Sequence, residues 1–243
     1  AQCLVGSEMC IRDRFVKDCK ITSNFQNGLD VGCGAGLSTK ALRLICDRVT
    51  GTDISEQMIQ VCQEEYKNDK AYTFYRAKAE ETKEPVEKYD IVTAAGMVNW
   101  VDRDLFLRNM GCVLRDQGIL LIYDFWITDK MQGNDSYTNW YQNEYLKRFP
   151  KPPRNETIWK QEELPDDFQI KNQITYELAY DFSMEQFIDF MMIQSNVNIK
   201  LESGAVNEKN ARDWLKKSLT PVFENREKTL YFKGYNWYIY KLG

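Results

Sequence analysis

The sequence predicts an α/β fold built on a doubly wound parallel sheet. Apolar, β-branched or aromatic runs recur five times within about 100 residues, helical periods separate most of them, and a glycine-rich loop follows the first run. Such alternation produces βαβ units with right-handed crossovers and helices on both faces of the sheet. The chain has 243 residues, and at about 150 residues per domain this length suits one elaborated domain or two.

The first half of the chain alternates strands and helices. The predicted order is a strand at 28–31, a helix at 37–47, a strand at 48–53, a helix capped by Ser55, strands at Tyr72–Arg76 and Tyr89–Ala95, a helix from Asp102 to about 115, a turn at 116–118 and a strand at 119–125. Ser55 and Asp102 are expected to be caps because short polar side chains accept hydrogen bonds from the free N–H groups of a first helical turn.

The pattern changes after Trp126. Residues 127–168 hold most of the prolines and many aromatic residues, which predicts short helices and loops and not a second sheet domain. The remaining elements are predicted in this order: a strand at 174–182, a helix at 184–194, a helix at 207–219 that ends before Pro221, and an aromatic strand at 229–242. We therefore predict a single domain over 15–243, with 126–168 as a substrate-side insertion. Residues 1–14 have no clean period and are expected to be a non-native or disordered tail.

The composition excludes several kinds of chemistry. The chain has no histidine, which excludes Ser-His-Asp and Cys-His catalysis and zinc sites that need imidazole, and we expect no metal. A general base must then be a carboxylate, Tyr, Lys or Cys. The formal net charge of −4 argues against a nucleic-acid partner, since phosphate neutralisation dominates that affinity. No apolar run reaches the about 18 residues of a membrane span, and no signal peptide is recognised.

The cysteines are expected to be reduced. Their number is odd and no C-x-x-C occurs, while Cys46 and Cys62 fall on the apolar stripes of predicted helices. Buried free thiols in a reducing cytoplasm are therefore predicted. The seven residues are Cys3, Cys10, Cys19, Cys33, Cys46, Cys62 and Cys112.

The motif that carries chemistry is D-x-G-x-G-x-G over residues 30–36, between a predicted strand and a predicted helix. Glycines let the backbone turn tightly and approach a ligand, and the helix N-terminus adds unpaired N–H groups. Asp30 is expected to orient the loop and to help receive an ammonium group. Asp53 ends the second strand, where a carboxylate can accept hydrogen bonds from both ribose hydroxyls.

Two ligand classes compete for this loop. A dinucleotide fingerprint requires a small residue at position 37, where this chain has Leu37. An adenosyl ligand without pyrophosphate does not require such tight helix packing. The motif therefore favours an adenosyl ligand, with a nicotinamide oxidoreductase as a weaker alternative.

Four segments resemble the class I S-adenosylmethionine-dependent methyltransferases. LDVGCGAGLSTKAL is similar to motif I, GTDISEQMI to the following block, AKAEET to the adenine-side block, and residues 89–125 to the stretch around the fourth and fifth strands. The similarity extends to the type 11, trans-aconitate-methyltransferase-like group. The resemblance implies a Rossmann-like sheet of seven strands in the order 3-2-1-4-5-7-6, with the last strand antiparallel.

The resemblance also implies S-adenosylmethionine as the cofactor and a set of residues that bind it. In this set Asp53 is the ribose ligand, Met58 lies near the adenine, and Ala79 and Glu80 lie beside the base. The full set is Asp30, Gly32, Cys33, Gly34, Gly36, Asp53, Ile54, Met58, Ala79, Glu80, Ala95 and Gly96.

The chain departs from the family pattern at two positions. Asn99-Trp100 stands where members often have His-Trp, so no mechanism that uses this histidine carries over. Lys78 stands where an aspartate often precedes Ala-Glu. Asn99, Trp100 and Trp126 are nevertheless expected to line an acceptor pocket, because they follow the fourth and fifth strands at the ligand edge. The other aromatic residues between 137 and 159 are expected to be mostly core.

The predicted function is methyl transfer from S-adenosylmethionine to a small-molecule acceptor by in-line displacement. A carboxylate or another oxygen nucleophile suits a chain without histidine, since a carboxylate needs no base. Alternatives are a protein methyltransferase and a degenerate, non-catalytic cofactor binder. No nucleic-acid or membrane partner is expected, and the location is expected to be cytoplasmic. One further hypothesis is that a basic cluster attracts an anionic substrate; its members are Lys147, Arg148, Lys151 and Arg154.

Overall fold

The computed structural model describes residues 24–81, 85–153 and 158–243. The predictions for residues 1–14, for Cys3, Cys10 and Cys19, and for Arg154 lie outside these residues. The strands are β1 (Phe25–Val31), β2 (Cys46–Asp53), β3 (Tyr72–Arg76), β4 (Tyr89–Ala95), β5 (Leu114–Met131), β6 (Phe168–Phe182) and β7 (Lys228–Lys241). The α-helices are α1 (Leu37–Arg43), α2 (Glu56–Glu65), α3 (Arg103–Val113), α4 (Asp135–Trp140), α5 (Leu146–Arg148), α6 (Met184–Met192), α7 (Ser195–Glu202) and α8 (Glu208–Phe223).

The strands of the described residues form one sheet in the order β3-β2-β1-β4-β5-β7-β6. The neighbours from β3 to β5 in this order are all parallel. β7 runs antiparallel to β6: Thr229 bonds to Asp181, whereas Lys233, further along β7, pairs with Glu177, which comes earlier in β6. The predicted α/β fold, its strand order and its antiparallel last strand are confirmed.

The described residues divide into two compact units. The first, here called the α/β unit, contains residues 24–81, 85–124, 158–175 and 235–243. The second unit contains 125–153 and 176–234. Strands β5, β6 and β7 contribute residues to both units, and the single domain predicted over 15–243 stays a prediction.

In the α/β unit, two helices begin where the sequence predicts a cap. The Ser55 hydroxyl accepts from the Met58 N–H at 3.4 Å, and α2 begins at the next residue. The Asp102 carboxylate accepts from the Leu105 N–H at 3.0 Å, and α3 begins after it. Both caps are confirmed. They matter for the site because each helix starts at the carboxyl edge of the parallel strands.

The second unit has a core of aromatic side chains. Tyr137, Trp140, Tyr145 and Phe149 are buried there and contact one another in a chain of stacked and tilted ring pairs. Large rings bury much apolar surface at a small entropic cost, so they can replace a regular sheet core. The expectation that the aromatic residues after 137 are mostly core is confirmed for these four.

Strand and helix ends differ from the predictions in two places where packing outweighs local pattern. Cys46 lies in β2 and not on a helix, because α1 already ends at Arg43. Helix α8 continues through Pro221 to Phe223. Proline removes one N–H from a helix, but buried Val222 and Phe223 on the same turn compensate for that loss.

Strands β5 and β6 are longer than predicted. They cover residues 114–131 and 168–182, and β7 lies between them in the sheet. Pairing with a neighbouring strand satisfies backbone N–H and C=O groups even where the side chains show no strand pattern. The turn predicted at 116–118 lies inside β5 as a bulge, where Gln117 has a φ of 61°. Residues 126–131 and Phe168, predicted as part of the insertion over 126–168, therefore belong to strands β5 and β6.

Candidate functional site

The glycine-rich loop leaves β1 at Val31 and enters α1 at Leu37. Gly32, Gly34 and Gly36 have φ angles of 68°, 52° and 87°. These values lie in the left-handed region that glycine adopts without steric cost. The backbone therefore turns sharply at the carboxyl end of β1, as the motif predicts.

Asp53 at the end of β2 anchors this loop. Its Oδ2 accepts from the Gly34 N–H at 2.9 Å, and its Oδ1 accepts from the Ser55 N–H at 2.8 Å. A carboxylate has about four acceptor positions, so each oxygen can accept from a further donor. The loop and the acidic residue, which the sequence places together only by analogy, are in direct contact.

Three N–H groups of the loop donate hydrogen bonds to acceptors within the protein. Cys33 N–H donates to the Thr52 carbonyl at 2.9 Å, and Gly36 N–H donates to the Cys33 carbonyl at 2.9 Å. Together with the Gly34 N–H, these are donors that a pyrophosphate would require at a helix N-terminus. The loop thus holds its own shape and is poorly suited to cradle phosphate.

Asp30 lies beneath the loop with its side chain fully buried. It accepts from the hydroxyls of Ser38 and Thr39 at 2.6 and 2.7 Å and from the Thr93 hydroxyl at 2.8 Å. Burial raises the pKa of Asp30 to about 6 in spite of these three donors. The carboxylate ties β1 to α1 and β4 and so orients the loop. Its oxygens face protein hydroxyls, and this geometry offers no support for a contact with an ammonium group.

A cavity of about 500 Å³ opens beside the loop, entirely within the α/β unit. Asp53 supplies a carboxylate to its wall, while most of the other lining groups are apolar. The lining residues are Gly32, Asp53, Ile54, Ala77, Lys78, Ala79, Glu80, Met97, Trp100 and Val101. A largely apolar slot with a few polar groups is the usual form of a small-molecule site.

Six predicted site residues line this cavity, namely Gly32, Asp53, Ile54, Ala79, Glu80 and Trp100. Eight others belong to the same unit but are not among the lining residues that the structure describes, namely Asp30, Cys33, Gly34, Gly36, Met58, Ala95, Gly96 and Asn99. Gly34 does not line the cavity, but its N–H holds the carboxylate of Asp53, which does. Trp126 belongs to the second unit and is 37% exposed.

Four lining residues were missed by the sequence analysis as binding residues. Ala77 and Lys78 precede the predicted Ala79, and Val101 follows the predicted Trp100, so widening each motif by two residues would include them. Met97 directly follows the predicted Gly96, so the same widening would include it as well. Its side chain packs on Gly32, where an added Cβ would lie 2.8 Å from Met97 Cγ.

The polar lining residues are partly held by the protein. Glu80 accepts from the Asp102 N–H at 3.1 Å, and the Lys78 ammonium lies 3.3 Å from the Glu81 carboxylate. Trp100 is 51% exposed and Ile54 is 59% exposed. The cavity therefore presents exposed apolar side chains, while Lys78 is paired with Glu81 and Glu80 accepts a backbone N–H.

The thiols near the loop are structural. Cys33 and Cys62 are buried, and both sulfurs point to the Gly34 carbonyl, at 3.7 and 3.3 Å. Burial raises the pKa of both thiols, which keeps them protonated and unreactive. Buried free thiols were predicted, and Cys33, Cys46 and Cys62 confirm this, whereas Cys112 is exposed.

Among the described residues, no group of three or more Cys, Asp or Glu side chains is arranged to hold a metal ion. Within the same residues, every helix is too short or too polar to cross a bilayer.

The sequence of the chain is similar to that of known methyltransferases. Residues 29–122 match a family model described as a methyltransferase domain. The ubiquinone biosynthesis O-methyltransferase of Pelagibacter ubique is 29% identical over 118 residues, which are 46% of this chain and 49% of that protein. The ubiquinone/menaquinone biosynthesis C-methyltransferase UbiE of Escherichia coli O1:K1 is 33% identical over 119 residues, 46% of this chain and 47% of that protein. The chain spans about half the length of these curated relatives.

Solved structures share the fold over nearly the whole chain. A protein described as a type II methyltransferase from Anaeromyxobacter dehalogenans superposes with a TM-score of 0.70 at 20% identity and covers 95% of both chains. The YcgJ protein of Bacillus subtilis has a TM-score of 0.53 at 15% identity, over 96% of this chain and 98% of its own. At such low identity these likenesses show the fold alone. The match to a methyltransferase domain over residues 29–122 thus lies within a fold that these solved structures share over nearly their whole length.

Proposed function

We propose that the protein binds S-adenosylmethionine in the cavity beside the glycine-rich loop and transfers its methyl group to a small-molecule acceptor. The observation that carries the proposal is the position of Asp53, which both anchors the loop through Gly34 and lines the cavity. Its remaining acceptor positions suit the two hydroxyls of a ribose. The apolar wall of Ile54, Ala77 and Ala79 suits a purine ring.

The same geometry favours an adenosyl ligand over a dinucleotide. The N–H groups of Cys33, Gly34 and Gly36 are already bonded to protein oxygens. A pyrophosphate would have to displace those bonds, whereas a nucleoside without phosphate leaves them intact. Leu37 at the first position of α1 agrees with this preference.

The residues of the chain have a limited chemical task in such a reaction. When bound, the cofactor supplies a methyl group that is already activated by its positive sulfur. The protein must hold the cofactor and acceptor in line and exclude water, and such positioning contributes about 7–11 kcal/mol in favourable cases. Trp100 and Met97, which line the cavity, are the side chains we propose to border the acceptor.

The acceptor is proposed to be a small molecule with an oxygen nucleophile. The names of the relatives include both an O-methyltransferase and a C-methyltransferase, so they support a small-molecule acceptor more strongly than a particular atom. The similarity to the trans-aconitate group supports a carboxylate acceptor, which requires no base. Of the residues predicted to line the acceptor pocket, Asn99 lies in the short turn that contains Trp100, and Trp126 keeps this role as a proposal.

Binding measurements test the cofactor assignment. Purified protein is titrated calorimetrically with S-adenosylmethionine, S-adenosylhomocysteine and NAD. We expect the first two to bind and NAD to bind at least about 100-fold more weakly, a difference of about 2.7 kcal/mol. Binding of NAD in preference to the adenosyl ligands would overturn the proposal.

Transfer of a labelled methyl group tests the activity. Labelled cofactor is incubated with a metabolite extract, with carboxylic acids and phenols, and with protein from the same cells. Label in small molecules supports the proposed function. Label in protein alone supports the protein methyltransferase alternative, and binding without any transfer supports a non-catalytic binder.

A further inference from the structure

A second cavity, here called the lobe, adjoins the first at the ends of β2 and β3. It has a volume of about 300 Å³ and lies, like the first, within the α/β unit. The two cavities share the walls formed by Ile54, Ala77 and Lys78. The other residues that line the lobe are Tyr75, Arg76 and Glu81. Its volume lies at the lower end of the range of about 300–1,000 Å³ that is usual for small-molecule sites.

The backbone holds the side chain of Arg76 in position at the wall of the lobe. Arg76 ends β3, is the register partner of Asp53, and its Nε donates to the Ile54 carbonyl at 2.9 Å. Its two terminal guanidinium nitrogens have no hydrogen-bond or ion-pair partner among the residues that the structure describes. A guanidinium fixed through Nε therefore presents planar, oriented donors that are available to a ligand.

Lys78 supplies a second cation to the lobe. Its ammonium lies 3.3 Å from the carboxylate of Glu81, and both side chains are exposed. An exposed ion pair of this kind contributes little to stability, so a more highly charged anion can compete with Glu81 for the ammonium. The acids of the first cavity, Asp53 and Glu80, already accept backbone N–H groups. The described lining of the lobe thus carries two cations against one carboxylate.

From this arrangement we propose that the lobe is a binding site for a compact oxyanion of the phosphate class. A phosphate group carries more than one negative charge at neutral pH and several acceptor oxygens. It therefore suits a fixed guanidinium and a flexible ammonium together. A monovalent carboxylate competes less well with Glu81 for Lys78. The lobe lies beside the cavity in which we place the cofactor, and its binding of a free anion does not depend on the proposed function.

Phosphorus NMR titration with inorganic phosphate tests the site directly. The ionic strength is kept constant with chloride, and saturable binding to the unchanged protein is expected. Arg76→Gln should lower the phosphate affinity at least about five-fold, because it removes the oriented donors. Glu81→Gln should raise the affinity about two- to three-fold, because it removes the competing carboxylate. The control is Arg48→Gln, which removes an exposed cation near the opposite end of β2 and should leave the affinity within about 1.5-fold.

The opposite signs expected for two of these variants distinguish binding in the lobe from damage to the fold. Partial unfolding in Arg76→Gln would lower the affinity, but it gives no reason for a gain in Glu81→Gln. Three results overturn the proposal. They are the absence of saturable binding to the unchanged protein, equal losses in Arg76→Gln and Arg48→Gln, and unaltered affinity in both Arg76→Gln and Glu81→Gln.

A titration in the presence of S-adenosylhomocysteine determines which cavity holds the anion. At saturating S-adenosylhomocysteine, the phosphate affinity should change less than about two-fold, because the two ligands occupy different cavities. Loss of phosphate binding under this condition would assign the anion to the first cavity and overturn the proposal. If S-adenosylhomocysteine does not bind, the proposed function fails, whereas the variant titrations with phosphate still decide whether the lobe binds an anion.

A phosphate group can reach the lobe as a free ion or on a nucleoside that occupies the first cavity. The second source is included because Asp53, the proposed ribose ligand, is the register partner of Arg76. Calorimetry therefore compares adenosine with adenosine 2′-phosphate and adenosine 3′-phosphate. Tighter binding of either phosphate, lost in Arg76→Gln, identifies a nucleotide as the source. Equal binding of adenosine and its phosphates identifies the free ion.

Discussion

The N–H of Gly34 donates to Asp53 Oδ2 at 2.9 Å and so joins the loop after β1 to the end of β2. The bond places an acid, already oriented by the backbone, in the wall of the cavity. The Gly34 N–H is then no longer available to donate to a phosphate group. One hydrogen bond thus both shapes the site and restricts its ligand class.

Removing the Asp53 side chain should weaken cofactor binding. Asp53→Ala deletes charge-assisted hydrogen bonds worth about 1.5–3 kcal/mol, which predicts about a 10- to 150-fold loss of S-adenosylmethionine affinity by calorimetry. Asp47→Ala, an exposed acid at the start of the same strand, is the control and should change little. Unchanged affinity in Asp53→Ala would contradict the proposed ribose contact.

Asp30 should give the protein a specific dependence of stability on pH. Its pKa is raised from 3.8 to about 6 by burial, so the native state binds the proton more tightly than the unfolded state. The stability that this group contributes is complete below about pH 4 and is lost as the pH rises through about 6, a change of about 3 kcal/mol. Asp30→Asn does not titrate. The free energy of unfolding of Asp30→Asn, measured by urea from pH 4 to 7, should therefore rise relative to that of the unchanged protein.

A difference between the two proteins that is constant over this range would contradict the prediction for Asp30. The comparison is internal, because all other titrating groups are common to both.

The contact of Gly32 with Met97 should appear in a double-mutant cycle. Gly32→Ala and Gly34→Ala both force alanine to a positive φ, at about 1–2 kcal/mol each. Gly32→Ala also drives a Cβ to 2.8 Å from Met97 Cγ, whereas a Cβ on Gly34 has nothing within 4 Å. We expect Gly32→Ala to cost roughly 1–3 kcal/mol more in urea unfolding. Met97→Ala should recover part of that excess, because it removes Cγ and Cε but keeps the Met97 Cβ, which lies 3.0 Å from the added Cβ. Equal costs for the two glycines would show that the side chain of Met97 moves aside freely.

Two tryptophans should respond in opposite ways to truncation. Trp140 is 1% exposed, and Trp140→Ala should lower the free energy of unfolding by about 3–5 kcal/mol. Trp100 is 51% exposed in the cavity wall, so Trp100→Ala should cost less than about 1 kcal/mol of stability and should weaken ligand binding instead. Urea unfolding and calorimetry are measured on each variant. Loss of folding with intact ligand affinity in Trp100→Ala would assign it to the core.

Much of the α/β unit could be predicted because its signals are local. The strand at Tyr89–Ala95 and the caps at Ser55 and Asp102 depend on side chains within a few residues. The longer parts of β5 and β6 carry no such signal, since their backbone groups are paired by a strand distant in sequence. The predicted helix end before Pro221 was wrong for a related reason. The burial of Val222 and Phe223 outweighed the loss of one backbone N–H at the proline.

The order of residues by itself determined the loop of left-handed glycines, the acid that ends β2 and the alternation that builds the sheet, because backbone freedom and periodicity are properties of short segments. The tertiary structure alone decided which acid lines the cavity and which is buried under hydroxyls. It also decided that the side chain of Met97 packs on Gly32 and that the carboxylate of Asp124 lies next to Gly96. Such contacts join strands and loops that are far apart in the chain, and only packing determines which side chains meet there.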